Sequence, residues 1–191
     1  MELQQAIRRF IGLDEESLQD IASYFKPLHL PKGAFWVKAG QVSTQVGWVK
    51  EGLLRTWYEV DGEEITHWIS EEGYFDTSLS SFSFKTPSRW NLQAITDCEL
   101  LVLDCDDHRE LLNKYTQWRI FESQLLIFSY LGLEERMFSQ LHQTAEERYE
   151  KLLIERPELA ARAPLQHLAS MLGMKPETLS RLRKKQTTRI S

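Results

Sequence analysis

Hydrophobic side chains along the chain change their spacing twice. Residues 1–26 and the residues from 107 onward carry apolar side chains every three to four positions, which predicts helices. Residues 28–105 instead hold short runs rich in β-branched and aromatic side chains, separated by glycines, which predicts strands. Asp61 and Gly62 lie between two of these runs and predict a tight hairpin turn. The pattern indicates an antiparallel barrel, sandwich or jelly roll with helices on either side.

The helical pattern that begins at residue 117 is long and apolar on several faces. Such a helix must be covered on several faces, and a small β domain covers only one of them. A second copy of the same helix across a two-fold axis would cover another, which predicts a homodimer. The alternative is a central helix buried wholly within one chain. The predicted dimer contacts, spaced three or four residues apart, are Leu126, Tyr130, Leu133, Met137 and Leu141.

The C-terminal part of the chain contains signals for short helices joined by a turn. Thr144 and Glu147 form a predicted capping box that starts one helix, and Pro157 ends it. The stretch PLQHLASMLGM then has an apolar face, and Gly173 suits the left-handed position that follows a helix. KPETLSRLRKK comes next, with Pro176 at the predicted first helical position. Two short helices joined in this way predict a helix-turn-helix.

The composition argues against several classes of protein. Of the 191 residues, 42% are hydrophobic and 11% are aromatic, which argues against disorder. No apolar run is long enough to span a bilayer and the N-terminus lacks the hydrophobic stretch of a signal peptide, so we expect a cytoplasmic location and no membrane partner. Cys98 and Cys105 are too few for a four-cysteine metal or iron–sulfur site and are expected to be ordinary thiols.

Positive charge is concentrated at the C-terminal end of an otherwise acidic chain. The whole chain carries a net charge of −5, whereas residues 175–191 hold six basic residues and one acidic residue. A solvated tail is one interpretation of this asymmetry, and contact with a polyanion such as nucleic acid is the other.

Together these elements resemble the Crp/Fnr superfamily of bacterial transcription regulators, the group of the cyclic AMP receptor protein and the fumarate–nitrate regulator. LPKGAFWVKAGQ resembles the start of the family's β-roll, VKEGLLRTWYEVDGEEITHWISEEGYF its central hairpin, and LASMLGMKPETLSRLRKK its DNA-recognition motif. The resemblance covers about residues 13–185. It implies an α+β fold with an N-terminal antiparallel β-roll (a double-stranded jelly roll) and flanking helices, a long dimerisation helix and a C-terminal helix-turn-helix domain. The implied domains are residues 1–115, 116–143 and 144–191.

The resemblance also implies which side chains contact double-stranded DNA. Glu177 and Arg181 fall where the family reads base edges. Their spacing supports this role, because residues four apart share a helical face, Glu accepts a hydrogen bond from cytosine and Arg binds guanine with two. A surface ion pair between the two side chains is the alternative. Basic residues further along would bind phosphates, and RNA polymerase is a possible further partner. The full predicted set is Lys175, Glu177, Thr178, Ser180, Arg181, Arg183, Lys184 and Lys185.

Two features depart from the family pattern. Only QTTRIS follows Lys185, which is too short for the family's β-hairpin wing, so wing contacts to DNA are not expected. Lys175 stands where a Ser or Thr cap would favour the helix, and a lysine there opposes the helix dipole unless a phosphate lies nearby.

The segment that binds cyclic nucleotides in the family is altered in this chain. Thr77, Ser78 and Leu79 stand where a Gly-Glu-Leu stretch would supply the ribose-binding carboxylate. Ser88 stands at the position of the phosphate-binding Arg, and Arg89 comes one residue later. A one-residue shift on a strand turns a side chain to the opposite face, although a loop would absorb the shift. Binding of cyclic AMP is therefore not expected, and no cofactor is implied.

The same segment still predicts a pocket for some other small-molecule effector. A small anion or a metabolite with an aromatic part would suit its side chains, which are Ser78, Ser80, Ser81, Ser88, Arg89 and Trp90. The alternative is a pocket without a ligand, filled by the bulky side chains of Phe82, Phe84 and Trp90.

Two other functions compete with a DNA-binding regulator. A metal-dependent jelly-roll enzyme needs closely spaced histidines and a carboxylate, but the β region holds only His29 and His67. No hydrolase motif or phosphate-binding loop is present either, so no enzyme activity and no metal are expected. A regulator that has lost DNA binding and acts through protein partners is the second alternative, and the basic residues at 181–185 argue against it.

Overall fold

The structure is a computed structural model that describes residues 2–190, with side chains described as far as residue 186. Its elements, in chain order, are α1 (Leu3–Arg8), α2 (Glu15–Ser23), β1 (Lys26–Leu30), β2 (Phe35–Val37), β3 (Gln45–Glu51), β4 (Leu54–Val60), β5 (Glu63–Ser70), β6 (Phe75–Asp76), α3 (Leu79–Phe84), β7 (Asn91–Ala94), β8 (Cys98–Asp104), α4 (Cys105–Lys114), α5 (Thr116–His142), α6 (Ala145–Glu155), α7 (Pro157–Arg162), α8 (Leu165–Met171) and α9 (Pro176–Ile190).

The strands of the described chain form two antiparallel four-stranded sheets that share one apolar core. One sheet has the order β1-β8-β3-β6 and the other has the order β2-β7-β4-β5. Val49 comes from the first sheet and Leu54 and Leu92 from the second, and all three are fully buried in the same cluster. Asp61 and Gly62 join β4 to β5 with positive φ angles of 51° and 82°, which confirms the predicted hairpin. The β region is therefore the expected β-roll.

The N-terminal helices cover the outer face of the first sheet. Asp14 caps α2 by accepting a hydrogen bond from the backbone N–H of Ser17 at 2.8 Å. Ile21 of α2 then packs in one cluster with Trp48 of β3 and Phe121 of α5. This cluster holds the start of the long helix against the roll.

The long helix α5 is buried at its beginning and exposed along the rest of its apolar stripe. Trp118 and Phe121 are buried against the roll. Further along, Leu133 is 50% exposed, Met137 is 62% exposed and Leu141 is 77% exposed. The single chain therefore does not bury this helix wholly, which contradicts the alternative of a helix covered within one chain.

Helices α6 to α9 form a small bundle whose signals match the prediction. Thr144 Oγ1 accepts from the backbone N–H of Glu147, and the Glu147 carboxylate accepts from the backbone N–H of Thr144, which completes the capping box. Pro157 does not only end α6, because it also occupies the first turn of α7. Gly173 follows α8 with a φ of +65°, and Pro176 begins α9. The residues after Lys185 that the structure describes continue this last helix to Ile190.

The bundle packs directly against β5 of the roll. Ile69 of β5 lies in one buried cluster with Leu168 of α8 and Leu179 of α9. Ion pairs between the two parts surround this contact. Arg156 donates to Glu71 at 2.5 Å, and Arg162 donates to both carboxylate oxygens of Glu72 at 2.7 and 2.8 Å.

Candidate nucleic-acid interface and sensor cassette

The orientation of α9 follows from the apolar side chains beneath it. Leu179 is fully buried and packs with Leu168 and Leu172 of the preceding helix and turn. The left-handed backbone at Gly173 reverses the chain between α8 and α9, and the N–H of Met174 closes the turn by donating to the carbonyl of Ala169 at 3.0 Å. One side of α9 is thereby fixed against the bundle, and the opposite side faces outward.

We call the outward side of α9 the reading face, defined by Lys175, Glu177, Thr178 and Arg181. Lys175, Glu177 and Arg181 are exposed, and Thr178 is half-buried. Within the described residues Glu177 and Arg181 do not form an ion pair, and Arg181 Nη2 instead lies 3.4 Å from Thr178 Oγ1. Among the described side chains, the structure therefore shows no ion pair between the two predicted base-reading residues.

The remaining predicted DNA contacts lie at the edge of the reading face or beyond it. Ser180 and Arg183 are half-buried, and Arg183 Nη2 donates to the backbone carbonyl of Ala160 at 2.8 Å. Lys184 is exposed. Lys185 pairs with the Glu146 carboxylate at 2.6 Å, in a pair that is open to solvent. Arg183 and Lys185 thus also fasten α9 to the bundle.

The segment from Thr77 to Trp90, which we call the cassette, uses its serine hydroxyls internally. Ser78, Ser81 and Ser88 are all buried. Ser88 Oγ lies 2.7 Å from Ser78 Oγ and accepts from the backbone N–H of Trp90 at 3.0 Å. Ser81 Oγ accepts from the N–H of Ser43 at 2.8 Å and donates to the carbonyl of Thr86 at 2.6 Å.

The other predicted ligand contacts of the cassette are separated from these serines. Ser80 is exposed on α3, and the Arg89 side chain lies over the ring of Trp90, 4.7 Å from its centroid. Phe84 is 76% exposed and Phe82 packs against the ring of His108, so the prediction that these two phenylalanines fill the pocket is not supported. Trp90 alone of the three bulky side chains turns toward the β4–β5 hairpin.

Trp90 connects the cassette to a histidine and an arginine that reach the C-terminal bundle. Its ring stacks on His67 of β5 with a centroid separation of 4.6 Å. Arg136 of α5 donates to the backbone carbonyl of His67 and, at 3.0 Å, to the carbonyl of Met171 at the end of α8. Burial, with the positive charges of Arg136 and Arg89, lowers the pKa of His67 to about 4. His67 is therefore neutral at physiological pH.

Sequence reasoning missed Arg136. Its side chain is half-buried and joins three parts of the molecule: the roll, the long helix and the bundle. The available signal was a single basic residue within a stretch of α5 that is otherwise acidic or apolar. That signal does not reveal which distant carbonyls the guanidinium binds.

The two histidines weighed for a metal site have different surroundings. His29 on β1 pairs with the Glu99 carboxylate at 2.7 Å, whereas His67 packs against Trp90. No three His, Cys, Asp or Glu side chains among the described residues come together as a metal site requires. None of the helices between residues 2 and 190 has the length and hydropathy of a bilayer-spanning segment.

The sequence and the fold are similar to those of several known proteins. Residues 27–115 match the family model of the cyclic nucleotide-binding domain. FixK2 from Bradyrhizobium japonicum superimposes with a TM-score of 0.74 at 18% identity, covering 86% of this chain and 85% of that one. A protein from Eubacterium rectale, described as a transcriptional regulator of the Crp/Fnr family, superimposes with a TM-score of 0.67 at 17% identity, covering 93% and 85%.

A curated relative shares only part of this chain. The voltage-gated inwardly rectifying potassium channel KCNH2 of Oryctolagus cuniculus is 25% identical over 116 residues, which is 61% of this chain and 10% of the channel. The chain thus matches about a tenth of that relative's length.

The fold combines a cyclic nucleotide-binding-type roll with a long connecting helix and a helix-turn-helix. More particularly, the chain has the fold of the Crp/Fnr regulators, and the resemblance predicted from its motifs is confirmed.

Proposed function

We propose that this protein is a sequence-specific DNA-binding transcription regulator that acts as a homodimer and has no enzyme activity. In this proposal residues 1–115 form the sensor domain, residues 116–143 the dimerisation helix and residues 144–191 the DNA-binding domain. The protein works in the cytoplasm, where bacterial DNA is accessible, and RNA polymerase is a further contact.

The observation that carries the proposal is the exposure of the reading face on a firmly packed helix. Glu177 and Arg181 point away from the bundle while Leu179, between them, is fully buried. A helix held in this way presents the same side chains outward each time, as readout of base edges in the major groove requires. Glu177 accepts from cytosine and Arg181 binds guanine.

The side chains around the reading face hold the helix on the DNA backbone. Lys175 and Thr178 lie near the start of α9, where backbone N–H groups also favour phosphate. Ser180, Arg183, Lys184 and Lys185 extend these contacts along the helix. Such contacts raise affinity without choosing a sequence.

The dimer follows from the exposed stripe of α5. Leu126, Tyr130, Leu133, Met137 and Leu141 are each at least 41% exposed in the single chain. An apolar surface of this length on one helix is expected to be covered, and the same stripe on a second copy is complementary to it across a two-fold axis. The dimer then sets the distance between two copies of α9, which must match half-sites about one DNA turn apart.

The sensor role is proposed for a ligand other than cyclic AMP. Thr77, Ser78 and Leu79 lack the ribose-binding carboxylate of the family, and Ser88 stands at the position of its phosphate-binding Arg, so two main anchors of a cyclic nucleotide are missing. Of the six predicted ligand contacts in the cassette, Ser80 and Arg89 are exposed and Trp90 is half-buried. The other three, Ser78, Ser81 and Ser88, are buried.

DNA binding is tested by titrating fluorescent duplexes from the region upstream of the gene at several salt concentrations. We expect affinity to fall steeply with salt, as phosphate contacts require. Arg181→Ala should weaken binding by about tenfold or more per half-site, because a two-bond contact to guanine is lost. Arg109→Ala is the matched control, since Arg109 is an exposed arginine on α4 that pairs with nearby Asp106. No binding, or equal loss in both variants, would favour a regulator that acts through protein partners.

Dimerisation is tested by sedimentation of Leu133→Glu. A charge in the centre of the stripe should convert the dimer to a monomer, because a buried unpaired carboxylate is costly. Ile154→Glu is the control, since Ile154 is 81% exposed on α6 and lies outside the stripe. A wild-type protein that sediments as a monomer would contradict this part of the proposal.

A further inference from the structure

A cavity of about 260 Å³ lies between the β-roll and the first half of α5. Its walls come from β3, β6, α3, α4 and α5, and none of the six predicted cassette contacts lines it. The volume is close to the lower end of the range for ligand pockets, about 300–1,000 Å³. The cavity nevertheless borders the cassette, because Thr77, Leu79, Phe82 and Ser83 are among its lining residues.

Phenylalanine and tryptophan side chains form about a third of the cavity lining. Phe75, Trp118 and Phe121 lie together there, with Phe121 stacked on Trp118 at a centroid separation of 4.7 Å and edge-on to Phe75 at 5.3 Å. Trp118 is buried, and its indole N–H has no acceptor among the described residues. An orphaned buried donor in a cavity wall indicates an acceptor that the chain itself does not supply.

The titratable groups of the cavity are two carboxyl groups and a histidine. Asp76, Glu122 and His108 line it, and no Lys or Arg occurs among its described lining residues. Glu122 Oε1 lies 3.3 Å from His108 Nε2, which holds the pKa of the Glu122 carboxyl below its usual value. Asp76 accepts from Ser70 Oγ at 2.6 Å, and burial raises its pKa to about 6. Both carboxyl groups are therefore ionised above neutral pH.

We propose that this cavity binds a small organic amine with an aromatic or branched apolar body. The ammonium group is attracted by the Glu122 and Asp76 carboxylates and by the faces of the aromatic rings. The body of the ligand replaces water against the apolar walls. An oxygen on the ligand would accept the indole N–H of Trp118. An anion of the same size meets two negative charges in the same space and is rejected.

Ligand binding in the cavity would affect the position of the long helix α5. Glu122 and Leu126 both line the cavity and both belong to α5. Leu126 is also part of the stripe proposed for the dimer, so an occupied cavity favours one position of α5 against its partner. This effector role depends on the proposed function, whereas amine binding itself does not.

The test uses three probes with the same phenyl body, measured with the full-length protein at pH 7.5 by isothermal titration calorimetry. They are 2-phenylethylamine, 2-phenylethanol and 3-phenylpropionate. We expect saturable binding of the amine, at least about tenfold tighter than that of the carboxylate, with the alcohol between them. Absent amine binding, or a carboxylate that binds as tightly as the amine, would overturn the proposal.

Two matched variants locate the site. Glu122→Gln should lower the affinity for 2-phenylethylamine several-fold and leave the affinity for 2-phenylethanol unchanged, because the substitution removes only the negative charge. Glu134→Gln is the control, since Glu134 is an exposed carboxylate on α5 outside the cavity lining. Equal effects of the two variants would place the amine elsewhere and refute the assignment. These titrations contain no DNA, so a failure to bind DNA would refute the proposed function without changing their outcome.

Discussion

The reading face of α9 and the cassette of the β-roll use their polar side chains in opposite ways. On the reading face Lys175, Glu177 and Arg181 are exposed, and only the apolar residue between the last two is buried. In the cassette the hydroxyls of Ser78 and Ser88 are buried against each other. The first arrangement leaves polar groups available to a partner, and the second uses them to hold a loop in place.

Under the proposed function, this difference would allow the DNA-binding half to keep its role while the sensor half changes. A side chain that binds DNA contributes little to the folded state alone, so its replacement affects binding. A serine that satisfies buried partners contributes to stability, and its loss affects the fold. Substitutions of the two kinds of residue should therefore have different effects on stability.

The largest expected effect on stability is that of Ser88→Ala. This change removes the partner of Ser78 Oγ and the acceptor for the Trp90 N–H, so the free energy of unfolding should fall by about 1–3 kcal/mol. Arg181→Ala should change it by no more than about 0.5 kcal/mol, because the side chain is exposed. Urea unfolding followed by circular dichroism measures both. Similar losses of unfolding free energy in the two variants would contradict the difference expected between Ser88 and Arg181.

A smaller change in stability is expected when the pH is lowered, because His67 titrates differently in the folded and unfolded chain. Its pKa is lowered to about 4 in the folded chain, so between pH 6.5 and 4 the unfolded chain binds a proton that the folded chain does not. Stability should therefore decrease as the pH falls through this range. His167, with a pKa lowered to about 4 by burial, acts in the same direction, and Asp76, with a pKa raised to about 6, acts against them.

The contribution of His67 is isolated by His67→Gln, which does not titrate. The loss of unfolding free energy between pH 7 and pH 5 should be smaller in this variant than in the wild type. Urea titrations at the two pH values measure the difference. An unchanged loss would mean that the histidine beside Trp90 does not resist protonation.

The smallest expected effect is that of cyclic AMP. Ser88 stands where the family has its phosphate-binding Arg, and Trp90 lies over His67. Cyclic AMP at about 1 mM should therefore raise the unfolding temperature by less than about 1 °C. A thermal melt with and without the nucleotide is sufficient. A rise of several degrees would show that the cassette opens to a ligand.

The elements were predictable from the chain because their signals are local. The capping box at Thr144, the turn at Gly173 and the hairpin at Asp61 depend on neighbouring residues, and each was found where expected. The docking of the bundle on the roll was not predictable. Arg156 and Arg162 bind Glu71 and Glu72, which are 85 and 90 residues away.

The same contrast between local signals and long-range contacts applies to the candidate sites. The outward position of Glu177 and Arg181 followed from helical spacing around Leu179. The internal use of Ser78 and Ser88, and the place of Arg136 between β5 and α8, depend on contacts between distant segments. Helical periodicity does not contain that information.

In the proposed dimer, two copies of the reading face contact one DNA duplex, which selection from a random duplex library can detect. We expect enrichment of an inverted repeat whose half-sites have centres about 10 base pairs apart or a multiple of that spacing. With Arg181→Ala the preference within each half-site should weaken. No enriched sequence, or the same enrichment with and without Arg181, would contradict the account.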